Sequence, residues 1–332
     1  MKILIIGGTQ FIGPHVVRNL VQLGHEITVF HRGENNKLDV NVNQILGDRN
    51  HLSEYSEEFS RLSPDLVLDM IPYIEQHADD LLSVFKGITG RIVAISSGDV
   101  YFAYDVIIRN ELGPITEGPI SERSPLRKKL YPYRNKGNND YDKIPIEHKI
   151  LNNDIPGTVL RLPVVYGPHD GQHRFFNYVK RMDDKRPHLL LEQGFADFRW
   201  THGYVEDVAH AITLAVTKDI AKGKVYNVGQ QNALTMYELV AEVGKASGWS
   251  GEIIKADREA LPPHLRFDDL NTEQSLVYDT SLIRSELGYR EQYSLQEGLL
   301  KTIEWERSNP IPYKEEDFNY QLEDEIYCRI TT

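Results

Sequence analysis

Cysteine is almost absent from this chain. Its only one is Cys328, so no intrachain disulfide can form, which fits a reducing compartment. No apolar run is long enough to cross a bilayer. The apolar start, MKILIIGG, is too short for a span and lacks a cleavage-site pattern, so it reads as a buried strand. A soluble, cytoplasmic protein without a membrane partner is expected. Positive charge is in deficit: Lys and Arg number 37 against 49 Asp and Glu, a formal balance of −12. Such a field repels polyphosphate, which makes nucleic acid a poor partner. The basic run within Arg123–Lys136, with Arg127, Lys128, Lys129 and Arg134, reads as a solvated loop. Metal-ligand patterns are missing too. His15, His169 and His202 show no ligand spacing and there is no Cys/His cluster, so no metal is expected.

The 332 residues, 40% hydrophobic and 26% charged, suit one two-lobed unit or two closely joined domains with a substantial core. In the first half, short apolar runs alternate with amphipathic stretches. Lys2–Ile6, Glu26–Phe30, Leu66–Met70, Arg91–Ser96 and Thr158–Leu162 read as buried parallel strands. Val16–Leu23 reads as a helix, with Pro14 near its first turn and Gly24 just past its end. Leu81–Phe85 and Ile146–Leu151 suggest crossover helices. This alternation predicts an α/β fold, a Rossmann-type doubly wound parallel sheet, over 1–168. Arg123–Asp142, rich in charge, Asn and Tyr, reads as a loop bordering the active cleft. Beyond Tyr166 the pattern loosens around Pro187, Pro262–Pro263 and Asp268–Gln274. A smaller substrate lobe is expected over 169–308, with some elements returning to the core. An acidic, aromatic tail over 309–332 would wrap the surface or fray.

The sharpest motif is Gly7-Gly8-Thr9-Gln10-Phe11-Ile12-Gly13, set between a strand and a helix. Gly7 permits the tight turn and Gly13 close helix–strand packing, while backbone amides at the helix start can cradle a pyrophosphate. With later motifs, this loop resembles that of the extended short-chain dehydrogenase/reductases, the NAD-dependent epimerase/dehydratase family. Gln10 stands where the family's GxxGxxG has its middle glycine. That departure is similar to an atypical branch that includes the chloroplast stem-loop-binding proteins. The resemblance runs from about Met1 to Arg307.

The second strand ends Val29-Phe30-His31-Arg32-Gly33. An acidic residue there would bind the ribose 2′-hydroxyl of NAD; His31 takes its place, and the Arg32 guanidinium can pair with a 2′-phosphate. NADP is therefore the expected cofactor, with NAD the alternative. Gly47-Asp48 resembles the family's turn after the third strand, where Asp48 would meet the adenine amino group.

The family places a Ser or Thr after the fifth strand and Tyr-x-x-x-Lys on a helix, with tyrosine as general acid or base. Ser96-Ser97-Gly98-Asp99-Val100-Tyr101 is similar to its SSxxVY segment. The resemblance makes Ser97 the orienting hydroxyl and places Ser96 beside the cofactor. Sugar-nucleotide dehydratases carry Thr-Asp-Glu where this chain has Ser97-Gly98-Asp99; the acid is missing at Gly98, so dehydration draws little support. Lys143 matches the family lysine because Glu147 follows at the usual offset, and it would bind the nicotinamide ribose. The matching tyrosine position is Asn139. Tyr141, two residues before Lys143, would sit on another side of a continuous helix. Pro145, however, fits a first helical turn, with Asp142 or Asp140 as cap, which leaves Tyr141 in the entering loop and able to supply the phenol. Otherwise the acid is Asp99 or Tyr101, or the site is catalytically reduced.

Val159–Pro168 resembles the family's LRxxxVYGP segment, which brings Pro163 near the nicotinamide and makes Arg161 structural. Arg174 and Arg199 stand where relatives bind a nucleotide diphosphate. The resemblance implies an NAD(P)-dependent epimerase, dehydratase or reductase acting by hydride transfer on a sugar nucleotide or similar small hydroxylated molecule, with homodimerisation as in relatives. The alternative is a dinucleotide-sensing or RNA-associated binding protein with reduced catalysis.

Overall fold

The computed structural model describes residues 1–34, 36–134 and 136–331. A seven-stranded, all-parallel sheet forms from β1 (Lys2–Ile6), β2 (Glu26–His31), β3 (Asn43–Leu46), β4 (Leu66–Asp69), β5 (Ile92–Ser97), β6 (Gly157–Leu162) and, after three short outlying strands, β10 (Lys224–Asn227). The spatial order is β10-β6-β5-β4-β1-β2-β3. The order reverses between β1 and β4, which opens a crevice at the carboxyl ends of those strands.

The apolar runs are continuous because both sheet faces are covered. Ile3 and Ile5 enter one core with Val16, Val17 and Leu20 of α1 (Ile12–Gln22), while Leu4 and Ile6 enter another. That second core takes Phe59 of α2 (Ser56–Leu62), Ala78, Leu81 and Phe85 of α3 (Glu75–Phe85), and Ile146 and Ile150 further along the chain. Helix α4 (Phe102–Ile107) follows β5; α5 (Lys143–Leu151) carries Ile146 and Ile150. Three helices are longer at their starts than the apolar periodicity alone indicates: α1 begins at Ile12, α3 at Glu75 and α5 at Lys143. Their opening turns are polar or glycine-bearing and carry no apolar stripe.

Beyond β6 come β7 (Val164–Tyr166), α6 (Phe176–Asp183), β8 (His188–Glu192), α7 (Gln193–Asp197) and β9 (His202–Tyr204). β7 pairs with β9, and β8 with β11 (Glu252–Ala256), each in parallel. Between these, α8 (Val205–Thr217) packs on α1 and β10 joins the main sheet. The remaining helices are α9 (Met236–Ser247), α10 (Ser281–Leu287), α11 (Leu295–Ser308) and α12 (Tyr320–Thr331). Ile326 of α12 packs with Leu190, Ala256 and Leu261 in a small core of its own. Among the described residues, no helix is long and apolar enough to cross a membrane.

Candidate active site at the sheet's carboxyl edge

The chain leaves β1 through Gly7 and Gly8, both at left-handed φ of 85° and 86°, where glycine meets no Cβ penalty. A Cβ on Gly13 would lie 2.3 Å from the Gly8 Cα, so helix and loop can approach this closely only with glycine there. Phe11 takes φ 49° without being glycine, a strained conformation. Helix α1 has no side-chain N-cap and no acidic residue in its first turn; Gly13 N donates to Gln10 O at 3.0 Å, and the remaining N–H groups of that turn can meet an anion. A cavity of about 520 Å³ lies over this helix end, lined by the whole Gly7–Gly13 loop together with His31, Arg32 and Asp48. Its shape and donors fit a dinucleotide. The β2–β3 connection crosses the loop, with Lys37 N donating to Thr9 O at 2.9 Å. Gly13→Ala is expected to abolish dinucleotide binding, because the new methyl meets backbone rather than a yielding side chain. Calorimetry beside circular dichroism checks this; undiminished binding would contradict it.

At the ribose end, His31 is buried and held from both ring nitrogens: Nδ1 accepts from Gly33 N at 3.0 Å, and Nε2 lies 2.8 Å from Gln44 Oε1. Arg32 projects outward, with Glu34 3.7 Å away. Asp48 caps the following turn by accepting from Asn50 N at 2.8 Å. Buried Arg49, which the sequence did not single out, lines the same cavity and pairs with Asp69 at 2.5 Å.

A second, larger cavity of about 770 Å³ begins at the end of β5 and runs into the lobe built on β8. Asp99, Tyr141 and Tyr133 meet at its near end. The Tyr141 hydroxyl donates to Asp99 Oδ2 at 2.8 Å, Tyr133 donates to the same oxygen at 3.3 Å, and the Tyr104 and Tyr133 hydroxyls are 2.8 Å apart. Asp99 Oδ1 is buried without a hydrogen-bond partner among the described residues. Burial raises the Asp99 pKa against the opposing hydrogen bond from Tyr141. Burial, and then the Asp99 charge, push the Tyr141 phenol up, while a hydrogen bond with Ser97 opposes this. Tyr141 precedes α5, whose N-cap is Asp142, accepting from Ile144 N at 2.9 Å. This freedom from the helical face is what lets Tyr141 turn into the cleft.

Lys143 is buried and lines neither cavity. Its Nζ donates to the carbonyls of Pro72 at 2.6 Å and Ile95 at 3.1 Å, and lies 5.6 Å from the Tyr141 ring centroid. Burial lowers its pKa to about 8. Ser97 and Pro163 line the cleft. Ser96 does not: successive strand residues face opposite ways, and its hydroxyl donates to Glu147 at 2.5 Å, so placing it beside a cofactor is corrected. Tyr101 is likewise withdrawn as an acid, being fully buried between Asn227 at 2.5 Å and Arg161 at 3.0 Å. Gly98 has a clear cause. A Cβ there would lie 1.3 Å from the Tyr278 hydroxyl, so that phenol occupies the volume a side-chain acid would need.

The basic run is not all solvated. Arg127 is completely buried, paired with Asp142, and donates from Nε to Asp99 O at 2.8 Å and from Nη1 to Lys129 O at 2.7 Å. It secures both the Asp99 turn and the entry to α5, a role visible only once Asp142 is known to be buried. Arg174 lines the cleft and holds Asp170 at 2.6 Å. Arg199 does not line it: it is half-exposed and donates to Ala233 O at 2.8 Å, so the paired arginine fork is not formed. His202, which the sequence gave no role, also lines the cleft. Its Nδ1 lies 2.8 Å from Trp200 O, so that nitrogen carries the proton and Nε2 is an acceptor; burial lowers its pKa to about 4.

Comparison with known proteins points to one family. The model of the NAD dependent epimerase/dehydratase family matches residues 3–101 and 119–229. The chloroplast stem-loop binding protein of 41 kDa b of Arabidopsis thaliana is 23% identical over 96% of this chain and 82% of that protein. A dTDP-glucose 4,6-dehydratase of Streptomyces niveus is 24% identical over 93% of this chain and 94% of its own. The solved UDP-glucose 4-epimerase of Thermotoga maritima, with UDP-glucose, superposes with a TM-score of 0.67 at 21% identity, covering 93% of this chain and 99% of that one. The Thermus thermophilus UDP-glucose 4-epimerase in complex with NAD gives 0.67 at 22% identity over 93% and 100%. With that family's model matching well over half of its length, this chain belongs to the NAD-dependent epimerase/dehydratase family.

Proposed function

We propose that the chain is a cytoplasmic NAD(P)-dependent oxidoreductase or epimerase acting on a sugar nucleotide or a similar small hydroxylated substrate, with residues 1–168 as cofactor platform and most of 169–308 as substrate lobe. The observation that carries this reading is the Tyr141–Asp99 hydrogen bond at the near end of the larger cavity. The Gly7–Gly13 loop would hold the pyrophosphate, Asp48 the adenine, Lys143 the nicotinamide ribose, and Pro163 would border the ring. When bound, the dinucleotide supplies a hydride acceptor or donor. Tyr141 takes the proton of the substrate hydroxyl on its oxygen as its own proton passes to Asp99 Oδ2, so no free phenolate has to form. Ser97 orients the hydroxyl, and the reverse transfers protonate a carbonyl oxygen. Relatives bearing epimerase and dehydratase names differ in chemistry, and Tyr278 over Gly98 favours simple hydride transfer or epimerisation over dehydration. Family resemblance extends the reading to a homodimer.

His31 stands where an acidic residue would bind the ribose 2′-hydroxyl, and Arg32 offers an unburied guanidinium beside Glu34, which supports NADP over NAD. Titration with NADPH, NADH, NADP and NAD tests this. NADPH should bind tightest, and Arg32→Ala should weaken it by roughly tenfold or more while sparing NADH. No binding of any dinucleotide would overturn the assignment. A second reading, a non-catalytic dinucleotide-dependent binder, rests on Asn139 at the family's tyrosine position; a salt-sensitive RNA shift at micromolar protein without turnover would favour it.

A further inference from the structure

The far end of the substrate cleft is closed partly by the C-terminal segment. Arg181 of α6 and Asp317 line that end, but the Arg181 guanidinium is already engaged. Its Nη2 donates to Glu323 Oε1 at 2.7 Å and to Asp317 O at 2.8 Å, Nε lies 3.2 and 3.3 Å from the two Glu323 oxygens, and Nη1 donates to Asn177 O at 3.1 Å. Glu323 is fully buried, and Phe318 lies under the guanidinium with 4.7 Å between Cζ and ring centroid. Glu323 is delivered by a packed helix. Beside it on α12, Asp324 pairs with Arg186, Ile326 fills the small core, and Tyr327 stacks on His188 with centroids 3.9 Å apart. With Arg199 outside the cleft, Arg174, although paired with Asp170, is the cleft-lining arginine left partly open to a ligand, at 26% side-chain exposure against 5% for Arg181.

We propose that Glu323 is a specificity-determining residue. It withdraws Arg181 from ligand binding, so that the cleft takes a hydroxylated ring compound with a single anionic group, met by Arg174, and rejects a nucleoside diphosphate. The inference rests on the hydride-transfer reading of the same cleft and narrows its substrate class. A diphosphate at this end would either face the buried carboxylate or separate it from Arg181, leaving an unpaired buried charge; discrimination by such repulsion is an ordinary route to specificity.

The test is calorimetry on the full chain saturated with NADPH, using glucose 1-phosphate and UDP-glucose as probes, on wild type and Glu323→Gln. In the wild type, glucose 1-phosphate should bind and UDP-glucose should not. Glu323→Gln should gain UDP-glucose binding by roughly tenfold or more. Tighter wild-type binding of UDP-glucose than of glucose 1-phosphate, binding of neither probe, or no gain in a folded variant would each overturn the proposal. The wild-type comparison decides it even where the variant fails to fold. NADPH affinity measured in the same samples separates these outcomes from a failure of the cofactor reading, which would appear as loss of NADPH binding itself.

Discussion

Tyr141→Phe should lower turnover by roughly 10²–10⁴-fold, the usual contribution of a positioned acid or base, with dinucleotide affinity unchanged. The phenol stands between the cleft and Asp99, and phenylalanine keeps the ring that packs against Tyr73 and Tyr133. Asp99→Asn should cost a similar factor for a different reason: the amide cannot accept a transferred proton. The pH profile distinguishes this relay from a phenol that ionises alone. For oxidation Asp99 must be an open carboxylate, so the rate falls as pH drops through its pKa. Burial raises that pKa, which places the acid limb above the ordinary carboxylate range. For reduction Asp99 must carry the proton, so the rate falls as pH rises through the same value. A Tyr141→Phe enzyme with near-wild-type turnover, or oxidation without an acid limb, would remove the relay.

The second large effect concerns stability. Arg161 and Glu147 form a buried pair at 2.6 Å, each side chain 4% exposed. Ser96 donates to Glu147, and Arg161 also reaches Tyr101 and Glu122 O, both at 3.0 Å. Arg161→Met leaves a buried carboxylate facing one hydroxyl and should destabilise the fold by about 3–5 kcal/mol, read as a lowered urea midpoint at constant slope. Adding Glu147→Leu should recover much of the loss, since two apolar groups of similar volume replace the pair. A double variant no more stable than the single one would show that the pair itself, rather than the stranded charge, supplies the stability. Because Glu147 lies one turn beyond Lys143 on α5, the same pair fixes the helix that Tyr141 and Asp142 lead into.

Much of this was legible in the sequence for identifiable reasons. β1 and the loop after it can be read because a fully covered parallel strand is apolar at every position, and because the glycines answer contacts of fixed geometry. An aspartate cap at Asp142 or Asp140, of which the structure uses Asp142, and Tyr141 as a loop residue followed from Pro145, since proline tolerates only the opening turn of a helix. What stayed hidden depends on pairs distant in sequence. Arg127 reads as surface charge until Asp142, on another element, is seen to be buried with it. Ser96 and Ser97 are chemically the same, and strand register alone sends one to Glu147 and the other to the cleft. Arg199 carries a suitable guanidinium, but its backbone bridges to Thr235 and turns it away. Tyr278 and Glu323 act on the site from far along the chain, and no local pattern marks them.

The route of the chain after β7 has a consequence for biogenesis. α8 and β10 are encoded after α6, β8 and α7, yet they pack on α1 and extend the sheet beside β6. While the ribosome is still short of Asn227, β6 therefore has an unpaired edge and α1 an uncovered apolar face. The seven-stranded sheet cannot close before residues 224–227 have emerged, so the nascent protein passes through a stage in which an apolar sheet edge is open to chaperones.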